Sequence, residues 1–529
     1  MATETFAVGS SEVTVPVDIE LGAFETIVTG FQPDGFTVPA GETWRIQGLV
    51  ETPKNVVVHG TLKMRAGDTL RFVNVNEANY VGSGNVVLDS DVGLWVMGPS
   101  GVLDAQGTPK LAWNRTGSDS SWLPGDVKKI TPTGPGSFVC SNYTGGPVPQ
   151  AYPDVPPAEV FNLTRDCKIE GTPGGRAHIF IISPQVQFVK HVEISYMGPR
   201  KNNDVVVGRW PLHFHHGGDG QRGTVVDGVV VHDFGSHAFV PHDSAGITFR
   251  YCIAYKGTGT GFWWDDNEET ADAVWEDCLA AECARSSTES TTRASGFLMH
   301  SQAPGGVARR CVAAAISDGL QARGFTWTSP SSQHWVFEDN VAHNCELGIR
   351  WWANVSRDGT PPARTDRFTA YNNSQWGIFQ GAYRHPARHD QAILRGNPLE
   401  WHAAADFSVP SGQTAGATRT DIDVAGRFPY ALIVSGSNLG QSAAHTFIEC
   451  VFDGATDSAV ATDVNTTRRD IDFVRCLVGG VDLEFSDFSR LEDQRPLVEQ
   501  DWLIRVQRLD GTAFSFGPLG GPTDIPPFG

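Results

Sequence analysis

His213 and His215 stand two residues apart in Pro211-Leu-His-Phe-His215, so a β-strand turns both imidazoles to one face. Segments of the same cast follow: Ala238-Phe-Val-Pro-His242, Gly261-Phe-Trp-Trp-Asp265, Gly296-Phe-Leu-Met-His300, Gly319-Leu-Gln-Ala-Arg323 and Gly348-Ile-Arg-Trp-Trp352. Stacked as parallel strands about 4.8 Å apart, they set His215, His242, Asp265, His300, Arg323 and Trp352 in one column. Such a column suits carbohydrate chemistry. Glycosidic cleavage needs a proton donor and a carboxylate on opposite sides of the bond. Asp265 or Asp266 could supply one and Asp219 the other, with His215 or His242 transferring a proton. Arg209 could clasp the carboxylate of an acidic sugar in bidentate fashion. Trp263, Trp264, Trp351 and Trp352 offer flat faces to sugar rings, beside the polar His300 and Arg323. A divalent cation is the rival use of the same groups, with His215, His242 and Asp265 as ligands. Imidazoles plus a carboxylate suit Zn, Mn or Fe, and an oxygen-richer set suits Ca. Structural duty competes with both: inward His and Asn form hydrogen-bonded ladders, and Asp243 or Asp266 could simply shape turns.

The elements that must position this column announce themselves by repetition. Phe249-Arg-Tyr-Cys252-Ile-Ala, Trp275-Glu-Asp-Cys278-Leu-Ala, Ala308-Arg-Arg-Cys311-Val-Ala and Phe337-Glu-Asp-Asn340-Val-Ala share one pattern, with weaker copies ending at Cys167, Asn373, Cys450 and Cys476. From 252 to 373 the Cys/Asn positions are 26, 33, 29 and 33 residues apart, which is about one coil of a β-solenoid with variable loops. The expected fold is therefore all-β, a right-handed parallel β-helix. Cys167, Cys252, Cys278, Cys311, Cys450 and Cys476 share its register and read as a buried ladder rather than as disulfides or a CxxC zinc site.

Residues 1–115 read as a β-rich N-terminal domain containing the first solenoid turns, for example Val56-Val-Val-His-Gly60-Thr-Leu62. Residues 116–158, with Pro132, Pro135, Pro147, Pro149, Pro153, Pro156 and Pro157, read as a long irregular loop folded against the helix. The coils run over 159–490, and 491–529 holds a hairpin through Asp510-Gly511 that caps the open end, followed by a tail.

Composition narrows the partners. A net charge of −20 argues against nucleic acid or an anionic membrane surface, both of which need a basic stripe. No apolar run has the length of a membrane span. The start, MATETFAVGSSEV, lacks the basic and apolar regions of a signal peptide, so either a leader is missing from this sequence or an outside location is reached by another route, such as release in a virion.

Within 159–283, Asn162-Leu-Thr-Arg-Asp166, Val192-Glu-Ile-Ser-Tyr-Met-Gly198, Gly208-Arg-Trp-Pro-Leu-His-Phe-His215 with Gly218-Asp219, Val231-His-Asp-Phe-Gly-Ser-His237 and Gly261-Phe-Trp-Trp-Asp-Asp266 occur in a telling order. In these residues the chain resembles the cell-migration-inducing and transmembrane hyaluronidase family, whose members join a glycine-rich domain to a parallel β-helix. The resemblance implies a glycan substrate, with Arg209, His213, His215 and Asp219 in the region that the family uses. The chain departs from the pattern at His216, where an apolar residue is expected. Two functions follow as expectations. One is an extracellular or virion-borne glycan depolymerase of the phage-tailspike type, a glycoside hydrolase or polysaccharide lyase with a divalent cation of unknown identity. The other is a non-catalytic structural or receptor-binding tail protein. The partners expected are a cell-surface polysaccharide and, by analogy with tailspikes, other tail proteins or a homotrimer.

Overall fold

The computed structural model describes residues 2–8, 11–17, 25–131, 156–263, 270–285, 294–299, 305–318, 322–328, 335–352, 363–374, 376–380, 387–395, 430–434, 445–449, 451–453, 458–462, 469–478, 480–490, 502–517 and 521–527. Alternation of apolar and polar residues over three to six positions, punctuated by turns, yields short strands that stack coil on coil in parallel. One sheet has fourteen strands in chain order, beginning Phe36–Val38, Val56–Val58, Leu94–Met97, Ile179–Ile182, Leu212–Gly218 and Phe239–Ser244. A second, thirty-stranded sheet carries two further columns, represented in one coil by Thr248–Arg250 and Ile253–Thr258. Three strands per coil make a parallel β-helix.

The stack begins in the N-terminal region. Thr26–Phe31 already pairs in parallel with Thr43–Thr52, so the first coils belong to the same solenoid as the later ones. Ala2–Val8 and Ser11–Val17 form an antiparallel hairpin ahead of it. At the other end Trp502–Gln507 pairs in parallel with Arg469–Val474. It then folds back through Gly511, at φ +87°, onto Ala513–Phe516. Antiparallel pairing here, completed by Thr523–Ile525, ends the stack by a different geometry from the one that built it.

Inside, identical positions stack. Phe239, Phe262, Phe297 and Phe325 form a ladder of near-parallel rings with centroids 4.6, 4.7 and 4.9 Å apart. Each ring burial is worth roughly 1.5–3 kcal/mol, and each ring pair adds about 0.5–1.5 kcal/mol. Gly261, Gly296, Gly324 and Gly348 line one inner corner. A Cβ on Gly324 would lie 2.6 Å from the Gly348 carbonyl oxygen and 2.8 Å from Ala342 Cβ, so the coils close up only with glycine there.

The corner between the two columns of the larger sheet is a single left-handed residue per coil: Tyr251, Asp277, Arg310, Asp339, Arg367, Gln391, Glu449 and Arg475, all at φ between 50° and 56°. Charge alternates along part of this edge. Arg310 binds Asp277 at 2.9 Å, and Arg367 binds Asp339 at 2.6 Å. The residue after each corner points inward, which produces the thiol ladder Cys252, Cys278 and Cys311 followed by Asn340. Asn373 is not in that ladder. Phe368, after Arg367, fills the slot, whereas Asn373 sits at the next corner, where its side-chain oxygen accepts from the Cys345 backbone N–H at 3.0 Å. The seven described cysteines are buried and form no disulfide among themselves; Cys450 lies outside the described residues.

Most of the Pro/Gly-rich segment, 132–155, lies outside the described residues; a small sheet forms at its two ends. Trp113–Asn114, Val160–Asn162 and Lys128–Ile130 form a small antiparallel sheet. Its Ala112, Trp113, Phe161 and Leu163 cover an apolar stripe on the outside of the helix: Val230, Ile253, Leu279, Val312 and Val341. That stripe explains why the second column is apolar on both faces. At its far end Glu159 and His343, both with fully buried side chains, bond at 2.9 Å, and the His343 ring stacks on Tyr371 at 4.7 Å.

Candidate functional site

The outer face of the fourteen-stranded sheet carries the titratable residues. Leu212 and Phe214 point into the core, so strand alternation leaves His213 and His215 outside. On the next coil His242 lies directly beside His215, and their rings stack at 4.7 Å and 24°. Below His213 the same outward row continues through Phe180 to Trp95.

Between His215 and Gly218 the register shifts by a bulge, and His216 adopts φ +50°. Asp243, the residue after His242, is also left-handed at φ +46°. A bulge re-aims side chains, and here it brings His216 Nδ1 to 2.8 Å from Asp243 Oδ2. The same oxygen is 3.5 Å from His242 Nε2. Two donor sets result, His213/His215/His242 and His216/His242/Asp243, each with its donor atoms within 4.8 Å of one another. His213 Nδ1 bonds the Gly208 carbonyl at 2.9 Å, and His215 Nε2 bonds Asn85 Oδ1 at 2.7 Å.

Arg209 requires a correction. Its guanidinium is fully buried beneath the site rather than open to an acidic sugar. It bonds Asp91 at 2.8 Å and the Ser83 carbonyl at 3.0 Å, and lies over the rings of Trp95 and Phe180 at 4.7 and 5.2 Å. Burial opposes ionisation of Asp91, but bonds from Val81 N–H, Ser90, Arg209 and Gly82 N–H hold its carboxyl below the usual range. Burial likewise pulls the Arg209 guanidinium down, with Asp91 countering. The pair fixes the loop bearing Asn85 against the His213 strand.

Asp219 sits in a short 3₁₀ turn with its side chain 85 % exposed, bonded to Arg222 at 2.8 Å, and Arg222 also binds Asp272. Arg323 leaves the column altogether. It pairs with Ser295 and Leu347, and the strand's repeating glycine is Gly324, so Thr328 takes the position beside Trp352. Trp263 is half-buried and packs on His237 at 4.0 Å and Trp210 at 5.6 Å. Trp264, Asp265, Asp266 and His300 lie outside the described residues. Of the expected metal ligands, His215 and His242 are brought together, and the described residue that joins them is His213.

Asn85, His216 and Asp243 were not assigned to the site by sequence. His216 and Asp243 follow the column residues His215 and His242 by one, which was the available signal. Nothing local marks Asn85, 130 residues from His215 in the chain.

Residues 174–389 match the family model described as the CEMIP beta-helix. This stretch is similar to the CEMIP β-helix. The imidazole cluster, Arg209 and the Gly208–His215 motif all lie inside the CEMIP match. No curated protein matches the chain. No helix among the described residues is long and apolar enough to cross a membrane.

Proposed function

We propose that this CEMIP-type β-helix binds and cleaves a cell-surface polysaccharide along the outer face of the fourteen-stranded sheet. The observation that carries the reading is the gathering of His213, His215, His216, His242 and Asp243 at one place on that face, within the family-matched stretch. Stacked imidazoles 4.7 Å apart are suited to move a proton to or from a bound sugar near neutral pH. Asp243 holds His216 in place through a 2.8 Å contact. Trp263, half-buried on a neighbouring coil and backed by the buried Trp210, offers an aromatic edge to a sugar ring. The protein acts outside the cell, as a secreted or virion-borne component, where such polysaccharides occur.

A receptor-binding tail component without catalysis is the second reading. It is favoured by Asp219, the described candidate for a paired carboxylate, being bonded to Arg222. Reducing-end release from a panel of acidic and neutral polysaccharides separates the two. Release by the wild type, abolished in His242→Ala and Asp265→Asn, supports cleavage. Retention of glycan on immobilised protein with no release of reducing ends shifts the assignment to receptor binding, and neither retention nor release overturns both.

A further inference from the structure

Three histidines converge here from two coils, and their outer hydrogen bonds are those of metal ligands. We infer that His213, His215 and His242 bind one divalent d-block cation, with Asp243 orienting His242 from behind. This goes beyond glycan processing and shares side chains with that reading, but binding of the ion needs no sugar.

The first observation is tautomeric. Gly208 O can only accept, so His213 Nδ1, 2.9 Å away, carries the proton, and Nε2 is the basic nitrogen of the neutral ring. Asn85 Oδ1 likewise accepts, so His215 Nε2 is the protonated atom and Nδ1 the basic one. Metal-ligating histidines almost always donate their second N–H to a carbonyl or carboxylate in this way, which fixes the tautomer and ring orientation. The Asp243 carboxylate supplies the equivalent for His242, 3.5 Å from its Nε2, while its 2.8 Å contact keeps His216 alongside.

The second observation is the β-bulge that re-aims two side chains. His216 and Asp243 are non-glycine residues held left-handed, at φ +50° and +46°, on adjacent coils and next to the stacked pair. Left-handed non-glycine residues also form the corners of the coils; what is particular here is the register shift between His215 and Gly218 beside them. Here it turns His216 and Asp243 toward the same point as His242.

Donor chemistry selects the ion. Three neutral imidazoles suit Zn, Fe, Co or Ni, whereas Ca requires an oxygen cage and Mg an oxygen octahedron. At Zn–N distances of about 2.0–2.1 Å, tetrahedral ligand nitrogens lie about 3.4 Å apart. The donors now lie within 4.8 Å of one another, so modest ring rotations close the set. Three protein nitrogens leave one position for water or a substrate oxygen, the pattern of catalytic rather than structural sites. His232 provides a contrast. Burial would lower its pKa, but Asp233 and Glu193 raise it to about 9, so it is a cation in an ion-pair network and no ligand.

The test uses the full chain, stripped with chelator and titrated with Zn(II) or Co(II) without sugar. Elemental analysis should find one equivalent per chain, and Co(II) should develop the visible absorption of a low-coordinate nitrogen site. His215→Ala and His242→Ala should weaken binding by more than about 100-fold, and Asp243→Asn by about 10–100-fold. His59→Asn should leave it unchanged. His242→Cys keeps a ligand, so it should retain cobalt and gain a sulfur-to-cobalt charge-transfer band; circular dichroism confirms folding of each variant. Absence of stoichiometric binding by the wild type, or equal binding by His215→Ala and His242→Ala, overturns the inference. Glycan release by wild type that takes up no stoichiometric metal leaves the glycan reading standing and sinks this one. Stoichiometric metal with no glycan turnover does the reverse.

Discussion

Replacing Arg209 by Met distinguishes a buried strut from a substrate clamp. The guanidinium and the Asp91 carboxylate have no exposed side-chain surface and bond at 2.8 Å. Removing one partner of such a pair strands the other charge, at a cost of about 3–5 kcal/mol. Asp91 keeps its bonds from Val81 N–H, Gly82 N–H and Ser90 Oγ, which places the expected loss toward the lower end. Loss of the cation–π contacts with Trp95 and Phe180 adds about 1 kcal/mol. A total near 4 kcal/mol is about a thousandfold in the folding equilibrium. The sign with pH is fixed too. The Asp91 carboxyl is held below its usual range, so the stability it contributes is present above its unfolded value of 3.8 and fades as pH falls. The gap between wild type and Arg209→Met should therefore narrow in acid, where Asp91 takes up a proton. Denaturant unfolding followed by tryptophan fluorescence measures this, with unfolding rates where refolding is incomplete. Asp91→Asn and the double variant complete a cycle in which the two losses should be less than additive. Wild-type stability in Arg209→Met, with only a raised KM for an acidic glycan, would refute the strut and restore the clamp.

Three further outcomes are expected. Burial alone would raise the Glu159 carboxyl, but His343 and Arg115, with hydrogen bonds from His343 and Thr131, bring it to about 2. Its stabilisation is complete above pH 4.5 and lost as pH falls toward 2, so Glu159→Gln should cost about 3 kcal/mol at pH 7, with the gap closing in acid; a pH-independent gap in melting temperature counts against the ion pair. His232, raised to about 9, contributes fully below pH 6.5 and loses its contribution as pH rises through 9. His232→Gln should flatten that alkaline decline, and parallel melting curves between pH 6 and 10 contradict the assignment. Burial pushes the Cys167 and Cys345 thiols up to about 12, and raises Cys278 well above the usual thiol range too. Of nine cysteines, seven are buried, so a thiol reagent should label at most two in the native protein and nine in denaturant. Faster labelling of more, or fewer than nine on unfolding, rejects the thiol ladder.

The parallel β-helix was legible because stacking makes equivalent positions repeat. Aromatic, corner and Cys/Asn residues each recur once per coil. The His215–His242 neighbourhood followed from the same repeat. What failed, failed where the period is irregular. Aligning on Gly319 rather than Gly324 moved Arg323 five residues out of place, since loop length between coils is not constrained by the core. Asn373 was misassigned because both corners of the larger sheet place an Asn or Cys after a left-handed residue. The burial of Arg209 depends on Asp91 and the loop at Ser83, far away in sequence. His216 and Asp243 depend on a bulge that no residue type announces.

The alternation of sign at Asp277, Arg310, Asp339 and Arg367 bears on how such a chain lengthens or shortens. Excising the coil that carries Arg310 would seat Asp277 against Asp339, two like charges about one strand spacing apart. Excising two consecutive coils would seat Asp277 against Arg367 and restore attraction. Each exposed pair is weak on its own. Summed along an edge, they act as a parity check on coil number, favouring gain or loss of coils in twos over this part of the helix.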